Sequence, residues 1–123
     1  MNEFQPAIDF LTRTDLFIIT AHETPDGDAI GSECAIMRAL RSMGKQAVIL
    51  NADPTPRKFT FLDGDKIVGV LEHEEQLPAD IADYSLLMLD TNDVNNIGQV
   101  AKLVLPRVRD HFIIDHHERE EDI

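Results

Sequence analysis

The stretch His22-Glu-Thr-Pro-Asp26-Gly-Asp28-Ala-Ile-Gly31-Ser32 decides how the rest of the chain is read. Immediately before it runs Leu16-Phe-Ile-Ile-Thr-Ala21, a short apolar segment rich in β-branched residues that predicts a buried strand. Residues 29–43, immediately after, predict a helix. One histidine and two aspartates therefore stand on the turn that leaves the carboxyl end of a strand, where open α/β sheets bind their ligands. Imidazole and carboxylate donors this close in sequence suit a divalent ion of the manganese type. The two aspartates are two residues apart, so in an extended loop their side chains diverge towards two neighbouring ions. A purely structural reading stands beside this one: Asp28 as a helix N-cap, Pro25 and Gly27 as turn residues.

Working outward, the 123 residues set a ceiling of one domain with a real core. A charged fraction of 28% and a hydrophobic fraction of 43% are those of an ordinary soluble protein. The formal net charge of −12 argues against bulk nucleic acid as a partner, since such binding relies on Lys and Arg neutralising phosphates. It leaves room for a small anionic substrate, because bound divalent cations invert the local charge logic. The single cysteine, Cys34, forms no internal disulfide and reads as a small core residue. No apolar run approaches membrane-spanning length, and the N-terminus lacks a signal-peptide pattern. The expected location is the cytoplasm, with no membrane partner.

Phe4, Ala7, Ile8 and Leu11 recur at helical spacing and predict a first helix over residues 3–11, with those four on one face. In the helix after the metal-like turn, Ile30, Cys34 and Met37 make one apolar stripe and Ala29, Ile36, Leu40 and Met43 another. Together they make a face wide enough to pack on a sheet. Gly44 suits the left-handed position that ends it. Gln46-Ala-Val-Ile-Leu50 is the second strand, closing a right-handed βαβ unit. Residues 57–62 predict one helical turn, 67–71 a weak strand, and Pro78 the start of a short helix. Tyr84-Ser-Leu-Leu-Met-Leu89 is a third buried strand running straight into Asp90. A helix capped by Asn95 or Asn96 then presents Ile97, Val100, Ala101 and Val104 and ends at Pro106. His111-Phe-Ile-Ile114 is the fourth strand, followed at once by Asp115-His116-His117. The alternation predicts an α/β fold: a doubly wound, mainly parallel sheet with helices on both faces.

Three strands thus end in His22/Asp26/Asp28, in Asp90 and in Asp115/His116/His117, and a parallel sheet sets such ends along one edge. Carboxylates at this density repel in a dry cleft unless cations neutralise them. The physical reading is a two-metal site with Asp90 bridging ions about 3.5–4 Å apart. His73 and His111 have no carboxylate cluster beside them and read as structural or solvent-facing, and Asp93 as a loop or cap residue. Gly31 and Ser32 suit phosphate contact at the helix N-terminus, and Gly31 equally suits close packing of helix on strand.

His-x-x-Pro-Asp-Gly-Asp-Ala-Ile-Gly-Ser, an Asp after a strand, then Asp-His-His: this order and spacing resembles the DHH phosphoesterase superfamily over nearly the whole chain. The form of the turn is most similar to its oligoribonuclease and 3′-phosphoadenosine 5′-phosphate phosphatase branch. The resemblance implies that His22, Asp26 and Asp90 hold one manganese ion and that Asp28, Asp90 and His116 hold a second, with magnesium, cobalt or zinc as substitutes. It implies that Asp115 orients a histidine and that His117 faces the substrate phosphate, the two residues assigned catalytic roles. Family members carry a further ligand aspartate downstream and a separate C-terminal substrate-binding domain. On that comparison, residues 1–123 are the N-terminal part of a catalytic domain. Relatives often have Arg where Asn96 stands, and an Asn after Asp-His-His where this chain is acidic.

The expected activity is hydrolysis of short oligoribonucleotides or of nucleotide phosphates by metal-assisted attack of water. His117 would stabilise charge or carry a proton. The alternatives are a nucleotide-binding regulatory module of the same fold, a cyclic-dinucleotide phosphodiesterase and an inorganic pyrophosphatase. The partners expected are a small phosphorylated substrate and, for a full-length form, a second copy in a homodimer.

Overall fold

Among the described residues the apolar runs become five strands in one sheet, all parallel: β1 (Leu16–Ala21), β2 (Gln46–Asn51), β3 (Val68–Val70), β4 (Ser85–Leu89) and β5 (Asp110–Ile114). The structure is a computed structural model that describes residues 5–89, 91 and 94–114. The strand order is β3-β2-β1-β4-β5. The chain steps outward from β1 through β2 to β3, then returns to the other side of β1 for β4 and β5. That reversal makes the gap between β1 and β4 a topological switch point.

Among the described residues three α-helices cover the sheet: α1 (Gln5–Arg13), α2 (Gly27–Ser42) and α3 (Gln99–Leu103). Because successive strand residues point to opposite faces, the core divides in two. Phe17, Ile19, Ile49, Leu87 and Leu89 pack with Phe10 of α1 and with Met37 and Leu40 of α2. On the other face Ile18, Leu50, Leu86 and Met88 pack with Leu71, Ile97, Val100 and Val104. Helices on both faces and parallel pairing throughout give the doubly wound α/β architecture expected from the sequence.

The differences lie in faces and breaks. In α1 the buried residue is Phe10, whose ring stacks on Phe112 at 5.0 Å and meets Phe17 edge-on at 6.0 Å, while Ile8 stays exposed. The aromatic cluster rotates the helix so that Ala7, Phe10 and Leu11 face inward, and Phe4 lies outside the described residues. Met43, placed by spacing on the apolar face of α2, is exposed beyond the helix end, where Gly44 takes φ +81°. The weak strand shrinks to three residues, Val68–Val70, and the segment after Pro78 is a 3₁₀ turn, Ile81–Asp83. The helix expected from Asn95 onward is two pieces, a 3₁₀ helix Val94–Ile97 and α3, because Gly98 between them adopts φ 59° and ψ −137°. That conformation is essentially closed to residues with a side chain.

Candidate metal centre

The turn after β1 is fixed by its own polar groups. Asp26 has extended backbone and its Oδ1 accepts from Ala29 N–H at 2.9 Å, so Asp26, not Asp28, is the N-cap of α2. Gly27 follows as the first helical residue, close against Phe59; Asp28 projects from the first turn and is exposed. The cap satisfies one orphan amide and leaves the other carboxylate oxygen of Asp26 outside the helix. His22 Nδ1 lies 2.6 Å from the carbonyl oxygen of Glu23. An Nδ1–H donated to that carbonyl places the ring's lone pair on Nε2, the tautomer a metal-ligating histidine uses. Thr24 sits at φ 49°, an unfavourable conformation for a β-branched residue, held there by Asp53 Oδ2 accepting its N–H at 2.8 Å.

Turns from three strands meet around this point. Glu23 N–H donates to the carbonyl of Asn96 at 2.5 Å, which ties the turn after β1 to the segment after β4 across the switch point. The Cα of Gly98 is packed so closely that a Cβ there would lie 2.7 Å from Ala52 and 3.0 Å from a carboxylate oxygen of Glu23. Beside this junction is a cleft of about 430 Å³ lined by Glu23, Asn95, Gly98, Gln99, Ala101 and Lys102.

The register aligns the strand ends. Ala21 pairs with Leu89 and Leu89 with Ile114, so the final residues of β1, β4 and β5 form one row across the sheet. His22 is half-buried at the end of that row, with Asp26 and Asp28 exposed on the turn above it. Asp90, Asp115, His116 and His117, each assigned to the site from the sequence, lie outside the described residues, as does Asp93. Among the described residues no group of three or more His, Cys, Asp or Glu side chains converges as a metal site. The donors His22, Asp26 and Asp28 are one imidazole and two carboxylates, which suit a manganese-type ion. The other histidines behave as expected: His111 is exposed on β5, and His73 caps the 3₁₀ helix Glu74–Gln76.

Beneath the turn lies a group that the sequence reading passed over. Glu33 of α2 is fully buried, and its Oε1 accepts from Asn51 Nδ2 at 2.8 Å. Asn51 Oδ1 in turn accepts from the backbone N–H of Ala21 at 3.1 Å and the hydroxyl of Thr20 at 3.4 Å. Glu33 Oε2 is buried with no hydrogen-bond partner among the described residues. Burial pushes the Glu33 carboxyl up to about 8; the Asp63 charge adds to the rise and the bond from Asn51 offsets part of it. Burial thus favours the protonated form of Glu33 near neutral pH. The signal was in the sequence: Glu33 stands inside the apolar face of α2, between Ile30 and Met37, where a charged residue is out of place.

A parallel sheet with its His- and Asp-bearing turn at the switch point is an α/β architecture of the class in which ligands bind at the carboxyl ends of the strands. The chain belongs to the DHH family: the model for the DHH family, N-terminal domain, matches residues 16–123. Over 44 residues the chain is 52% identical to the bifunctional oligoribonuclease and PAP phosphatase NrnA of Thermus thermophilus. That match takes in 36% of this chain and 13% of the relative. The structure superimposes on an exopolyphosphatase-related protein from Bacteroides fragilis with a TM-score of 0.80 at 26% identity. It covers 97% of this chain and 36% of that one. Among the described residues no helix is long and apolar enough to cross a membrane.

Proposed function

We propose that residues 1–123 are the metal-holding N-terminal part of a manganese-dependent phosphoesterase that hydrolyses short oligoribonucleotides and nucleotide phosphates such as 3′-phosphoadenosine 5′-phosphate. The observation that carries this reading is the alignment of the β1, β4 and β5 ends in one row, with His22, Asp26 and Asp28 on the turn at the switch point. In this proposal His22, Asp26 and Asp90 hold one ion, and Asp28, Asp90 and His116 the other. When bound, the ions would polarise the phosphoryl oxygens and lower the pKa of water.

The chain's own residues do the positioning. The Asp26 cap orders the first turn of α2, so Asp28 is presented from a fixed helix end rather than from a loop. The Nδ1 bond of His22 orients its ring. The Glu23–Asn96 bond holds the turns after β1 and β4 at a constant separation. Asp115 would orient a ligating histidine, and His117 would meet the phosphate and stabilise its charge or carry a proton. Phosphoryl transfer depends chiefly on such positioning and charge stabilisation.

The test is hydrolysis of 3′-phosphoadenosine 5′-phosphate, a short oligoribonucleotide and inorganic polyphosphate with manganese, by the full-length protein that contains this chain. Polyphosphate is included because of the name of the Bacteroides relative. Product from one of these substrates, lost in Asp90→Asn together with manganese binding, is the expected result. Wild-type turnover by Asp90→Asn would remove the bridging role. Nucleotide binding without product would favour a regulatory module.

A further inference from the structure

We infer that Glu33 is a positioning residue for the metal centre, acting through Asn51 on the carboxyl end of β1 and so on His22. The inference rests on the proposed phosphoesterase reading and extends it to a residue that carries neither metal nor substrate.

Backbone pairing between β1 and β2 runs from Leu16↔Gln46 to Ile19↔Ile49. Beyond it the Asn51 side chain takes over, its Oδ1 accepting from Ala21 N–H and the Thr20 hydroxyl. The Asn51 carbonyl is used on the other side, accepting from Leu71 N–H at 2.8 Å. On its β2 side the last step of the ladder before His22 therefore rests on one amide side chain, while on the β4 side backbone pairing continues to Ala21↔Leu89. That amide has two ends, and its Nδ2 is fixed by Glu33 Oε1 at 2.8 Å. Without this bond the buried Nδ2 is left unpaired, which costs free energy, and the amide is held from its oxygen end alone.

The choice of residue also argues for positioning. Thr20, Glu33 and Asn51 are all fully buried, and Glu33 Oε2 has no partner among the described residues. An apolar side chain would pack there at lower cost. A carboxyl retained at such a site is explained by what it holds. It links α2, which presents Asp28 at its first turn, to the strand end that presents His22. The two halves of the turn are thereby locked to one another from below.

The experiment uses the full-length protein that contains this chain in four forms: wild type, Glu33→Gln, Glu33→Leu and Asn51→Ala. Two readouts are taken: hydrogen exchange at the Ala21 amide relative to Ile19, and manganese binding by calorimetry. Glu33→Gln retains an oxygen for Asn51 Nδ2 and is expected to keep both properties within about threefold. Glu33→Leu and Asn51→Ala are expected to lose at least tenfold in Ala21 protection relative to Ile19 and at least tenfold in manganese affinity. Equal acceleration at Ala21 and Ile19, as a general loss of stability would produce, overturns the inference. So does undiminished manganese affinity in the two disruptive variants. If Glu33→Leu does not fold, Glu33→Met, which also lacks the acceptor for Asn51 Nδ2, takes its place, and Asn51→Ala removes the donor to Glu33 together with the acceptor of Ala21. Absence of manganese binding by the wild type would sink the metal-centre reading, while the exchange comparison would still decide whether Glu33 holds Ala21.

Discussion

Replacing Glu33 with Gln should make the protein more stable at neutral pH and hardly at all in acid. The folded chain holds the Glu33 proton up to about pH 8, against a usual value of 4.5. Below the lower value both folded and unfolded chains carry the proton and nothing is lost. As pH rises from there, the unfolded chain releases it while the folded chain cannot, so wild-type stability falls by about 1.4 kcal/mol per pH unit. Above the higher value both forms are ionised and the loss levels off. Over the two units between about pH 5.5 and pH 7.5 the accumulated difference is about 3 kcal/mol. Gln removes the titration while keeping shape and an acceptor for Asn51. Its second buried amide hydrogen adds a cost that does not vary with pH. Urea unfolding of both proteins at several pH values gives the difference directly, read at constant m. Curves that stay parallel across this window would show that Glu33 is ionised in the folded protein or open to solvent, and the account of the buried network would fail.

Asp26→Ala removes both the cap and a proposed ligand, and should cost about 1 kcal/mol of stability by urea unfolding. Asp26→Ser should keep the cap and the stability yet still weaken manganese binding; equal metal affinity in Asp26→Ser would show that this carboxylate only caps. Gly98→Ala forces a side chain into a conformation at φ 59° and against Ala52, and should lower stability by about 2 kcal/mol or more. A thermal midpoint unchanged in that variant would contradict the close packing of the two turns. Phe10→Ala empties the cluster with Phe17 and Phe112 and should cost about 3–5 kcal/mol, whereas Ile8→Ala should cost far less because Ile8 is exposed.

Much of the architecture is a local property of the sequence. Runs such as Leu16-Phe-Ile-Ile-Thr-Ala21 and Tyr84-Ser-Leu-Leu-Met-Leu89 are too short and too apolar to be anything but buried strands, and alternation with helical periodicity implies a parallel sheet. The turn from His22 to Asp28 was legible for the same reason: its residues are neighbours in sequence, so their chemistry is visible without the fold. The distinction between Asp26 and Asp28 was not, because either spacing allows a cap and only backbone conformation chooses. The face of α1 was decided by Phe17 and Phe112, which reach Phe10 from other elements. Gly98 broke the helix over residues 95–104 because Ala52 and Glu23 crowd it from two other turns. Glu33, Asn51 and Ala21 come from α2, β2 and β1, and no pattern along the chain connects them. Hydrophobic periodicity and side-chain type are local, so the strand segments and the histidines and aspartates at their ends are readable along the chain. The strand order, the switch point and the buried support beneath it emerge in the folded molecule alone, since they depend on which distant side chains share one desolvated space.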